Sequence, residues 1–217
     1  LKATYKDGRA RHFATLEDVA NVAFALINFH QVGGGIEYLN KAKVLVDNAI
    51  INFADEKGKA FFYTAKDGEK LIVRSKNPYD SSVPSANSVF AGCLVRLALL
   101  YDDKSYREWA DGIFTEYSRY LKKLTRSFSR MSREYVQLAY ANKEYVLLYA
   151  DENLKKSVLK SLNPGDTFLT EKDAFLTLLK GKELKNKIPT LYICINGTCK
   201  MPLTGVKEIN KALKNDI

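Results

Sequence analysis

From position 15 to about 142 the apolar residues recur at helical spacing, in paired segments separated by short breaks. Thr15 and Asp18 read as the cap of a first helix, a weaker form of the capping box. Leu16, Val19, Ala20, Ala23, Leu26 and Ile27 follow on one face. Val22, Phe24 and Phe29 add a second apolar side, so this helix is expected to be buried on much of its circumference. Gly33-Gly34-Gly35 stops it. A second helix carries Ile36, Leu39, Ala42, Val46, Ala49, Ile50 and Phe53 inward, with Lys41, Lys43 and Asp47 toward water. Two helices joined by a short glycine turn make an antiparallel hairpin.

The pattern then repeats. A third helix, from about Ser85 to Tyr101, is apolar nearly all round. A fourth opens on Ser105-Tyr106-Arg107-Glu108, a capping box, and buries Ala110, Ile113, Phe114, Tyr117, Leu121 and Leu124. A shift of 68 positions lays the first hairpin over the second, with Leu26 on Leu94, Tyr38 on Tyr106, Ala42 on Ala110, Leu45 on Ile113 and Val46 on Phe114. An apolar inner helix followed by an amphipathic outer one is what repeated αα-hairpins require. A fifth helix, Ser127 to Asn142, starts a third unit. Between the hairpins, Ala60 to Thr64 and Leu71 to Arg74 read as a β-hairpin insertion near 60–75, turning at Lys66-Asp67-Gly68-Glu69.

After Asn142 the pattern changes. Glu144 to Tyr149 is a buried-strand run, Asn153 to Leu162 and Glu171 to Lys180 are helical, Leu191 to Ile195 is a strand, and Thr204 to Asn215 closes as a helix. The predicted class is mainly α: hairpins of a partial α/α toroid over 1–142, then a small α/β layer over 143–217. Residues 1–13 are polar and read as poorly fixed.

At 217 residues no disulfide is needed to build a core. There is no apolar run of about 18 residues that would span a membrane. The opening lacks both Met and an apolar leader, which reads as processing or as part of a longer polypeptide. Three cysteines, an odd number, point to a reducing, cytoplasmic setting. A net charge of +9 favours polyanions. The lysines and arginines are spread along helical sequence, however, so a solvated surface is preferred and nucleic acid is not the expected partner.

Candidate chemistry concentrates in few places. Asn196-Gly197 is a strong two-residue hairpin signal. A type I′ turn there pairs Ile195 with Thr198 and sets Cys194 opposite Cys199 with Cβ atoms ~4.5–5.5 Å apart. A structural thiol pair or optional disulfide is favoured. A redox site would want Cys-x-x-Cys at a helix N-terminus, and closed zinc sites need four ligands, while His12 and His30 lie far off. Glu17 and Asp18 read as a carboxylate pair or as helix caps. Arg74, Tyr79, Asp80, Ser85, Asn87 and Ser88 gather at the elbow before the third helix, as a binding site or an N-cap network. Asp80, Glu17 and Asp18 are the catalytic candidates, with no reaction implied. No cofactor motif appears.

Phe61-Phe62-Tyr63-Thr64, Leu71-Ile72-Val73-Arg74, Asn77-Pro78-Tyr79-Asp80 and Pro84-Ser85-Ala86-Asn87-Ser88 together resemble the thioredoxin-domain-containing, spermatogenesis-associated family. Asp103 to Arg107 matches its Asp-x-x-Tyr-Arg helix start, and Tyr192, Cys194, Cys199 and Pro202 match its final Tyr-x-Cys…Cys…Pro hairpin. The resemblance implies the last hairpins of an α/α toroid similar to N-acylglucosamine 2-epimerases and six-hairpin glycosidases, plus the α/β tail. The thioredoxin-like domain and most of the toroid are absent from the chain, Ala86 stands where the family usually has glycine, and Val19 where it often has an aromatic. The resemblance implies a carbohydrate or sugar-like ligand at the elbow. The alternative is a non-catalytic interaction module that completes a toroid with a second copy or with the family's remaining domains on a separate chain.

Overall fold

A computed structural model describes residues 1–68, 72–140, 142–195 and 198–215. Four long helices form two hairpins: α1 (Leu16–Gln31) with α2 (Ile36–Phe53), and α3 (Ala86–Tyr101) with α4 (Lys104–Lys123). α5 (Ser129–Ala139) follows a short 3-10 turn. The chain is mainly α, with a small sheet region after α5. The 68-residue shift carries the start of α2 onto the start of α4, so the repeat seen in the sequence holds in the helices.

α3 lies between α1 and α5. Thirteen of its sixteen residues are buried, which explains its near-continuous apolar sequence. α1 differs from the sequence expectation. Its buried side is Leu16, Val19, Ala20, Ala23, Ile27 and His30, while Val22 is 39% and Phe29 49% exposed, the Phe29 ring leaning edge-on to Tyr38 of α2 at 4.7 Å. Leu124, expected inside, is also exposed.

The first thirteen residues form a β-hairpin, β1 (Lys2–Lys6) and β2 (Arg9–Phe13), exposed throughout. Asp7 and Gly8 both take positive φ, 51° and 74°, as a type I′ turn requires. The expected strand at Ala60–Thr64 does not form. Its backbone groups go to separate partners instead of one ladder: Phe61 to the Asn87 side chain, Phe62 N to Phe53 O and Tyr63 N to Ser75 O. Among the described residues of this stretch a single bridge, Ala54 to Phe61, is all that remains. Glu69, Lys70 and Leu71, which carried part of that reading, lie outside the described residues.

Helix α4 starts one residue before the expected capping box. Asp103 is its N-cap, accepting from Ser105 N at 2.9 Å, and the Ser105 hydroxyl together with that backbone bond holds its carboxyl below the usual range. α5 is shorter than expected because Tyr140 turns extended.

The tail holds β3 (Lys143–Leu148), α6 (Glu152–Ser161), β4 (Thr167–Thr170), β5 (Thr190–Ile195), β6 (Thr198–Cys199), β7 (Leu203–Thr204) and α7 (Val206–Asn215). The sheet runs β4-β3-β5-β6, with β7 also on β5; β3–β4 is parallel, as expected of strands joined through a helix, and β3–β5 antiparallel. β4 replaces part of a stretch read as connection. Glu171–Lys180 forms two 3-10 turns, Glu171–Asp173 and Thr177–Leu179, in place of a helix, so that Leu176 and Leu179 both reach the core.

Alternation fixes what this sheet does. Val146, Leu148, Leu169, Tyr192 and Cys194 pack into the same core as the helical hairpins. Tyr145, Leu147, Phe168, Leu191 and Ile193 face the opposite way, into a second core with Leu154 and Val158 of α6 and Ile209 and Leu213 of α7. The sheet is therefore a middle layer between hairpins and outer helices, and one core crosses position 142.

Candidate functional site

The elbow residues come together, but their polar atoms are turned to backbone. Asp80 Oδ1 accepts from Ser85 N at 2.9 Å and Oδ2 from Arg130 N at 2.8 Å, so one carboxylate ties the entry of α3 to the first turn of α5. Ser85 caps α3: its Oγ accepts from Ser88 N and lies 2.7 Å from Ser88 Oγ. Asn87, buried, accepts from Phe61 N at 3.0 Å and donates to Phe61 O at 2.9 Å, behaving like one more strand partner. Arg74 donates to Thr64 O and lies over the Phe62 ring, 4.1 Å from its centroid. Tyr79 is 39% exposed and packs edge-on to Phe128.

The carboxylate pair separates by role. Asp18 closes a full capping box with Thr15, accepting from Thr15 N at 2.8 Å. Glu17 accepts from the Tyr63 hydroxyl at 2.9 Å, and burial pushes that phenol up. Cys194 and Cys199 face each other across β5 and β6 and are joined by a disulfide, while their turn, Asn196-Gly197, lies outside the described residues. Cys93 is buried, its thiol pushed up to about 12 by desolvation, and donates to Ala20 O.

Two buried polar clusters escaped the sequence reading. The first is Arg96, Arg130 and Glu134. Arg96 Nη1 donates to Glu134 Oε2 at 2.7 Å and to Gly92 O at 3.0 Å. Arg130 Nε lies 2.8 Å from Glu134 Oε1, close enough for an ion pair but not aligned as a hydrogen bond, and burial holds its guanidinium below the ordinary arginine range. Both guanidiniums sit over the Phe24 ring, at 4.6 and 4.2 Å. A Cβ on Gly92 would come 2.8 Å from the Glu134 carboxyl carbon, so the glycine makes room for the acid. The second cluster is His30, whose Nε2 is 2.8 Å from Asp173 Oδ1, both residues buried. It links α1 to the tail beside the bond from Phe168 N to Gln31 Oε1. Partners 38 and 143 positions apart leave no local signal; an arginine inside the apolar stripe of α3 was the one available hint.

Beside the first cluster opens a cavity of about 330 Å³ where α1, α3 and α5 meet the loop before β4. A second opening, an apolar groove of about 520 Å³ lined by Phe114, Leu121, Tyr135 and Val136, runs between α4 and α5.

With this geometry in view, the curated relatives become informative. The mouse protein is 28% identical over 215 aligned residues that cover 91% of this chain and 27% of the mouse protein. The chain is similar to spermatogenesis-associated protein 20. The human protein is 27% identical over 218 aligned residues, with the same coverage. The chain thus spans about a quarter of the length of these relatives. No family model matches it. Among the described residues no helix is long and apolar enough to cross a membrane.

Proposed function

We propose that this chain is a non-catalytic packing module, the end unit of a larger array of helical hairpins, and that the open flank of α1 docks a further αα-hairpin of the same kind. One observation carries this reading. Val22, Ala25, Phe29 and Val32 are exposed on α1, and the residues 68 positions on, Phe90, Cys93, Leu97 and Leu100, are all buried on α3. Cys93 bonds to the Ala20 carbonyl, so that side of α3 is the one turned to α1. The bare flank of α1 therefore matches the surface through which one repeat grips the one before it. Exposed apolar stripes of this kind mark contacts. The relatives' greater length supports helices from further polypeptide as the occupant.

Sugar binding at the elbow loses support because Asp80, Ser85 and Asn87 already serve backbone groups. The test uses the part of the mouse relative that ends where its aligned region begins. Mixed with this chain, it is expected to give a one-to-one complex in sedimentation velocity. Phe29→Asp is expected to abolish that complex. Val22→Asp, which has no ring contact to lose, is expected to do the same and decides the matter if loss of the Phe29–Tyr38 contact disturbs the fold. Separate sedimentation of the wild-type partners, or a complex that survives either change, overturns the reading.

A further inference from the structure

We infer that the cavity between α3, α5 and the loop before β4 is a binding site for a small organic acid with an apolar body and a hydroxyl group beside the carboxylate. Three features of the wall specify that chemistry. Arg133 and Arg96 line it, the first exposed and the second buried with its Nη1 committed to Glu134 and Gly92. The acid on the wall, Asp166, has both oxygens turned to backbone, accepting from Lys143 N and Asn163 N at 3.0 and 2.9 Å. Of the charged groups on the wall, two arginines, Arg96 and Arg133, face one carboxylate, Asp166, which leaves one positive charge beside a partly apolar lining. Guanidinium groups suit carboxylates, and charge-assisted bonds are stronger away from water.

Gln137 supplies the second feature. It is 7% exposed, its Nε2 donates to Gly165 O at 3.3 Å, and its Oε1 has no hydrogen-bond partner. A buried acceptor without a donor is costly, and because Gln137 lines the cavity, a small turn of its side chain would present that sealed oxygen to a ligand hydroxyl. Leu100, Leu162 and their apolar neighbours supply the third feature, a face for a hydrocarbon group. A volume of about 330 Å³ lies within the range of small-ligand sites.

The probes are mandelate, phenylacetate, which lacks the hydroxyl, and mandelamide, which lacks the charge. Titration calorimetry on the full chain is expected to show saturable mandelate binding, phenylacetate weaker by about fivefold, and no mandelamide binding. Arg133→Gln is expected to weaken mandelate by about tenfold, and Gln137→Leu to bring mandelate down to the phenylacetate level. Arg133 is exposed, so its replacement keeps the fold and decides the matter if Gln137→Leu does not fold. The inference is overturned if neither acid saturates below about 10 mM, if Arg133→Gln leaves the affinity unchanged, or if mandelamide binds as well as mandelate.

Discussion

Glu134 is fully buried between two arginines, and its position depends on a neighbour with no side chain. Breaking a buried charge cluster by removing one member costs more than the cluster contributes, since the remaining charges stay out of water. Glu134→Gln is therefore expected to lower stability by about 3–5 kcal/mol, measured by urea unfolding of the purified chain. A loss under about 1 kcal/mol would mean that the arginines swing out to solvent. At this scale the sequence was legible where partners are close along the chain. Thr15 with Asp18, and Ser85 at the head of α3, are caps whose partners lie three residues away. It was illegible where partners are distant. Nothing near Arg96 announces Glu134, and Asp80 could not be seen to reach Arg130 N, 50 residues on. The crowd of polar groups at the elbow reflects two helix starts being tied together there.

Among elements, the junction of Phe61 with α3 has the clearest consequence. The Asn87 amide satisfies both backbone groups of a residue that is itself fully buried. Asn87→Ala would strand a donor and an acceptor, at roughly 1–3 kcal/mol for each. Asn87→Asp keeps the acceptor for Phe61 N but sets a buried carboxylate oxygen against Phe61 O, so at neutral pH it is expected to destabilise at least as much as Asn87→Ala. Amide exchange at Phe61 checks this directly: protection should drop in Asn87→Ala and at least as far in Asn87→Asp. The same junction explains why alternating aromatics at 61–63 misled the strand reading, because alternation reports burial and not the partner of the backbone. The opposite error occurred at the N-terminus. Polar residues there suggested an unfixed segment, although Asp7-Gly8 is itself a hairpin signal.

For the whole molecule, the informative stretch was Tyr145-Val146-Leu147-Leu148. Apolar residues at successive strand positions mean burial on both faces. Both faces are used, one against the hairpins and one against α6 and α7. A change of pattern near position 142 is thus a change of element type within a continuous core. It follows that the two parts should unfold together. In urea, fluorescence of Trp109, the only tryptophan, and amide protection at Val146 and Leu191 are expected to share one midpoint. Two separated midpoints would show an independent tail.

The bare flank of α1 has one more implication. The surface that α1 leaves open and the surface by which it holds α3 are different, so each unit has a distinct front and rear. Contacts of that sort are directional: they extend head to tail and end only by closing into a ring or by meeting a dissimilar cap. In the proposed array, added hairpins extend outward from the Phe29 flank of α1.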